Sequence, residues 1–263
     1  AVAGGVGTAD EIPRRLGFRH TSHSLLHRAI TAMPSYRDLE LERHGASYIE
    51  PDLNVALVLP DGRVLHWWRD LERTIESFAR FSAHDAQQLR KWAGEFRPIV
   101  DELLIPEAQS PPLPPEEREQ QLQRTRLGRR LLEVARLSPL EFVQQEFEHD
   151  VIRAGPLFFN GLREVDLRLA GFGHSSPALL ASPHKAQMCL GGSARLASAL
   201  VSDIEQHGSQ VRTGVQIRQL ILTGDRVTGV ELATGERIEP VEFVASGLNP
   251  QQTFLELLPA SAV

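Results

Sequence analysis

His20, His23 and His27 place three imidazoles in one short stretch, and on a helix the i, i+4 pair His23 and His27 would share a face. Neutral imidazole ligates zinc, but such a site needs a third or fourth ligand held in fixed geometry. No acidic residue or cysteine completes the set nearby, so no metal ligand is assigned and these histidines read as surface or pocket residues. Nucleophilic chemistry has two candidates. Ser175 and Ser176 follow Gly173 and His174, yet the Gly-x-Ser-x-Gly elbow that projects a hydroxyl from a strand-to-helix turn is missing. Cys189 stands in the run Ala186-Gln187-Met188-Cys189-Leu190, whose apolar neighbours favour a buried, inert thiol over a low-pKa nucleophile. Both read as structural, and no catalytic side chain is assigned. Trp67, Trp68 and Trp92 could line an apolar pocket, although aromatic residues at strand or helix spacing more often form core. Arg126, Arg129 and Arg130 share a stretch with Glu116, Glu117 and Glu119, the pattern of a solvated helix face. What remains is glycine: Gly4, Gly5 and Gly7 at one end, Gly191 and Gly192 toward the other. Paired glycines let a backbone approach a ligand and offer amides to phosphate oxygens, with tight-turn duty as the default.

Composition narrows the classes of function. The chain has 263 residues, 41% of them hydrophobic and 24% charged, which is ordinary for a globular protein with a sizeable core. Its formal net charge of -6 gives no long-range attraction to a phosphate backbone, so nucleic acid is not an expected partner. One cysteine excludes an intrachain disulfide and a Cys-rich zinc site, and it suits a reducing compartment, read here as the cytoplasm. No apolar run reaches the roughly 18 residues of a membrane-spanning helix.

The elements that would position these residues follow from periodicity. Leu25, Leu26, Ala29, Ile30 and Met33 suggest a short helix in an otherwise loop-rich start. Val55, Leu57 and Leu59 alternate, Pro60-Asp61-Gly62-Arg63 turns, and 64–68 returns, which predicts a hairpin. Helical spacing then runs through Ala86, Leu89, Trp92, Ala93, Phe96, Ile99, Val100, Leu103 and Leu104, with Pro98 predicting a kink near Glu95. Residues 106–115 are proline-rich and predict a linker, followed by one charged helix over 116–136. Ser138-Pro139-Leu140-Glu141 reads as N-cap, N1 proline and N3 glutamate of a helix burying Phe142, Val143, Phe147 and Val151. Gly191-Gly192-Ser193 opens a helix that Gly208 closes, and strands are predicted at 211–222, 227–232 and 237–245 as a β-meander.

Longer stretches carry a resemblance. Gly4-Gly5-Val6-Gly7-Thr8-Ala9-Asp10-Glu11 with Leu16-Gly17-Phe18-Arg19 is similar to the stretch after the first βαβ unit of phytoene-dehydrogenase-like, FAD-dependent amine-oxidase-type flavoproteins. Asp38-Leu39-Glu40-Leu41 and Leu59-Pro60-Asp61-Gly62-Arg63 fit the same family. Gly191 to Leu196, Arg212 to Ile217, Val227 to Leu232 and Val244 to Pro250 resemble its second FAD-domain segment in order and spacing.

The resemblance implies an α/β fold: a partial FAD/NAD(P)-binding-type domain with a β-meander, interleaved with a mixed, largely helical substrate domain. Residues 1–45 and 186–263 would be FAD-domain segments, and 46–185, containing the linker 106–115, the substrate or cap domain. FAD is the implied cofactor. Gly4 and Gly5 would lie against its ribose and pyrophosphate, with Thr8 counted beside them. The Ile217 backbone would meet the adenine, Ala245 and Ser246 would end the strand beneath the dinucleotide, and His20 to Ser24 would approach the flavin ring.

The family's dinucleotide fingerprint would precede Ala1, and its closing FAD motif would follow Val263. By themselves these 263 residues are therefore expected to be an internal fragment, to bind FAD weakly or not at all and to be inactive. The implied activity of the whole protein is two-electron oxidation of a largely apolar small molecule by the flavin. A peripheral membrane contact is compatible with that substrate, and the oligomeric state is open. The alternative is a lipid or prenyl-group carrier, since proteins of similar fold escort prenylated GTPases without flavin chemistry.

Overall fold

The computed structural model describes residues 9–11, 17–21, 23–162, 164–184 and 186–259. The chain divides into two compact units that meet in sequence at Asp203 and Ile204.

The larger unit opens with β1 (Ala9–Glu11) paired antiparallel to β2 (Arg19–Thr21). β3 (Leu26–Arg28) stands where a short helix is expected. Ala29 explains the difference: its left-handed backbone, φ 58°, ends the strand and interrupts any helix through 25–33. A 3₁₀ turn at Ile30–Ala32 then leads into α1 (Pro34–Asp38). β4 (Tyr48–Ile49) and the later β7 (Ala186–Cys189) complete an antiparallel sheet in the order β3-β7-β4. The expected hairpin is present as β5 (Leu53–Val58) and β6 (Val64–Trp68), with Gly62 at φ 85° in the turn, a conformation glycine adopts without strain.

Helices build the core of this unit. α2 (Leu71–Ala79) is capped by Asp70 and α3 (Ala83–Ile99) by Ser82. The apolar stripe read from α3 is buried from Ala86 to Val100, and α3 packs against α2 and against α9 (Ser175–Ala181). Pro98 lies inside α3, and beyond it a π-type turn at Val100–Leu104 passes into α4 (Ile105–Ala108). Pro98 and Pro106 lack the donors that the Gly94 and Glu102 carbonyls would otherwise receive, which relaxes the i→i−4 ladder here.

The proline-rich linker is shorter than expected. Pro106 joins the first turn of α4, and Pro115 opens α5 (Pro115–Gln123), since proline is tolerated where the N–H has no helical partner. The single helix expected over 116–136 is two, α5 and α6 (Arg126–Ala135), because Thr125 caps a new start by accepting from the Gly128 N–H. α7 (Pro139–Glu146) begins with the expected capping box. α8 (Asp150–Gly161) follows, and Trp67, Phe78, Trp92, Phe96, Phe142 and Phe147 meet in one core. Trp67 and Trp92 are thus core residues; the Trp92 and Phe142 ring centroids lie 4.9 Å apart, edge to face.

α10 (Ala194–Gln206) ends at Gly208, φ 77°, as expected of a C-terminal cap. In the smaller unit, β8 (Ile217–Thr223), β9 (Arg226–Leu232) and β10 (Arg237–Ile238) form the expected meander in the order β10-β9-β8. Its outer strands are shorter than the sequence suggests. Beyond Ile238, Pro240 has no donor to extend the ladder, and 243–247 pairs with no strand among the described residues. Every strand pair among the described residues is antiparallel.

Candidate functional site

The smaller unit encloses a cavity of about 760 Å³. One wall is the β8 face carrying Leu220 and Leu222; Val244 from the segment after β10 and Phe254 from a turn at Gln252–Glu256 add apolar surface, and Asp225 and Ser246 add polar atoms. The Ser246 and Thr253 hydroxyls lie 2.7 Å apart and satisfy one another, and Ser246 Oγ also accepts the Leu248 N–H at 3.3 Å.

Of the residues expected at a dinucleotide, Ser246 lines this cavity. Ala245 is exposed in the unpaired segment, so the strand it was expected to end is not formed there. Ile217 opens β8 opposite Leu232, is 38% exposed and lies outside the cavity lining. The neighbouring Gln216 carbonyl accepts the Ala233 N–H at 2.8 Å. Gly4, Gly5 and Thr8 lie outside the described residues.

A dinucleotide also carries a diphosphate, which needs free amides or cations. Among the described lining residues Asp225 is the charged group and it is an anion. No cation stands among the described lining residues to meet a diphosphate.

A second polar assembly sits on the sheet β3-β7-β4. His27 Nδ1 and Tyr48 Oη are hydrogen-bonded at 2.7 Å across residues 21 apart in sequence. Burial pushes the His27 imidazole below its ordinary value of 6.5, partly opposed by a bond to the Ser24 carbonyl, so the ring is neutral at pH 7. Burial also pushes the Tyr48 phenol and the Cys189 thiol up. Cys189 is 7% exposed and protonated, which is the inert thiol expected from its neighbours. Ser193 Oγ donates to the Ser24 carbonyl, tying the turn after β7 to the segment before β3.

The remaining chemical candidates resolve into structural roles. Ser176 is fully buried and accepts from Asn160 Nδ2 at 3.0 Å, while Ser175 donates to the Phe172 carbonyl at 2.6 Å. Among the described residues neither hydroxyl is shown bonded to a base.

Sequence spacing misses one cluster altogether. His84, Asp85 and Glu148 bring one potential ligand atom each within 4.8 Å of one another. Their atoms are already engaged. The buried Asp85 accepts the backbone N–H of Glu148 at 2.8 Å and of His149 at 2.9 Å, and Ser82 Oγ donates to Glu148 at 2.7 Å. The cluster is a clasp between the start of α3 and the α7–α8 junction.

No protein-family model matches the chain. It is 30% identical over 245 residues to a protein of Castellaniella defragrans named as one of the subunits of limonene dehydrogenase, an overlap that covers 90% of this chain and 44% of that protein. The chain thus spans less than half the length of this relative. A solved putrescine oxidase with redesigned cofactor binding is similar at a TM-score of 0.46 and 12% identity, covering 90% of this chain and 48% of the other.

Proposed function

We propose that this chain is part of an FAD-dependent oxidoreductase of the dehydrogenase type, removing two electrons from a largely apolar substrate. The observation that carries the reading is the 245-residue similarity to a protein named as a subunit of limonene dehydrogenase, an enzyme named for a hydrocarbon. The glycine and strand motifs quoted above support it independently. In this reading residues 1–45 and 186–263 serve the flavin, and 46–185 cover the substrate. FAD, when bound, accepts the two electrons. The chain's own residues supply an apolar, water-poor surround, in which the helices packed on Trp92 and Phe96 form a rigid wall. The segment 109–114, lying between two helices, is the point about which that wall could shift. A relative named as one of several subunits supports assembly with a second polypeptide.

The whole protein to which this chain would belong, purified from cells that make it, is expected to release FAD in near-stoichiometric amount on heat denaturation, whereas residues 1–263 alone are expected to release little or none. Release of no flavin by the whole protein overturns the reading.

A further inference from the structure

Proline fixes its own φ at about −65° and drives the residue before it out of the helical region into extended or polyproline II backbone. In the run Ser110-Pro111-Pro112-Leu113-Pro114-Pro115 four residues are prolines and four precede one. Sterics alone therefore favour a polyproline II rod between α4 and α5, and Pro114, at φ −52° and ψ 140°, has that backbone. Such a rod has about three residues per turn. Pro111 and Pro114 fall on one of its edges, Pro112 and Pro115 on the next, and Leu113 on the third.

The rod is open to a partner. All ten residues over 108–117 are exposed, and among the described residues the Leu113 N–H and the carbonyls of 110–113 make no backbone hydrogen bond. Its ends are tied down. Ser110 Oγ donates to the Pro106 carbonyl at 2.8 Å, and Arg118 of α5 donates to Glu107 of α4 through Nε at 3.1 Å and Nη2 at 2.9 Å. That ion pair already joins the two helices, so a spacer's stiffness does not account for paired prolines on exposed edges. Few conformations are left to lose on binding, which is what makes such a rod a good ligand.

Charge narrows the partner. Glu116 and Glu117 follow the rod directly, are exposed and have no cationic partner among the described residues, since Arg118 is engaged by Glu107. We propose that residues 110–115 are a docking segment for a partner protein whose surface presents a groove lined by aromatic rings, with basic residues at the end that meets Glu116 and Glu117. The rings pack against the two proline edges, and donors on the groove reach the free carbonyls. This inference does not depend on the flavin reading.

The test uses the whole protein and, as probe, an isolated WW domain that binds Pro-Pro-Leu-Pro peptides and carries basic residues beside its aromatic groove. By calorimetry the probe is expected to bind saturably with a Kd below about 1 mM, to bind more weakly as salt rises, and to be displaced by the free peptide of residues 108–117. Replacing Pro111→Ala and Pro114→Ala together is expected to weaken binding at least about tenfold, and Glu116→Lys with Glu117→Lys at least about threefold. The four side chains are exposed, so the circular-dichroism spectrum is expected to stay unchanged. Pro60→Ala, at the exposed hairpin turn, is expected to leave binding as it was. A probe that binds the free peptide but not the protein overturns the inference, because the rod would then not be presented. Binding that the double proline variant retains overturns it as well, and so does a probe that binds neither peptide nor protein.

Discussion

Asp85 shows how a carboxylate that looks like a ligand serves the backbone instead. Its two oxygens take N–H groups from residues 63 and 64 positions away, so no window of sequence could reveal the pairing, whereas His20, His23 and His27 attracted notice only because they are close in sequence. Asp85→Ala would leave two N–H groups with no acceptor, and a loss of about 2–4 kcal/mol is expected from urea unfolding. Two histidines contribute to the pH response just below neutrality. Burial depresses His27, and burial together with the Arg118 charge depresses His174, whose Nδ1 has no partner among the described residues. The unfolded chain therefore binds protons first. The stability these groups contribute is present above their ordinary value of 6.5 and is lost as pH falls through the lower folded-state values. His27→Gln, which keeps an acceptor but does not titrate, is expected to reduce the slope of unfolding free energy against pH below neutrality; an unchanged slope would mean the ring does not contribute.

Among elements, what is local was legible and what is distant was not. The Ser138–Glu141 capping box, the Pro60–Arg63 turn and the Gly208 cap are each written in a few adjacent residues, and each is present. The break between α5 and α6 escaped because helical periodicity continues across it. Gly128 marks it: a Cβ there would stand 2.0 Å from the Leu122 carbonyl oxygen. Gly128→Ala is accordingly expected to cost about 3 kcal/mol by overpacking, read as a lowered urea midpoint, although alanine is the better helix former. The third strand of the meander failed differently. The Val241 N–H still reaches the Thr228 carbonyl of β9 at 2.9 Å, but residues 243–247 pair with no strand among the described residues, and a strand is made by its neighbour as much as by its own side chains.

At the scale of the whole molecule, the helical unit holds a large shared core, while the smaller unit buries little: Leu220 and Leu232 are its buried large apolar residues, against Phe243, Phe254 and Leu255 at 76%, 58% and 64% exposure. Expressed alone, residues 204–263 are expected to give no cooperative thermal transition by circular dichroism, since so small a core cannot offset chain entropy. Of the residues that the sequence places at a cofactor, the structure brings no two together at one cavity among the described residues. Ser246 does line a cavity, but Ile217 and Ala245 do not join it, and the glycines expected at the phosphates lie outside the described residues.

If flavin and hydrocarbon meet in the whole protein, anaerobic mixing of that protein with a monoterpene hydrocarbon should bleach the oxidised-flavin absorbance in proportion to hydrocarbon oxidised. A flavin spectrum unchanged at saturating hydrocarbon, while dithionite still reduces it, would mean that they do not meet.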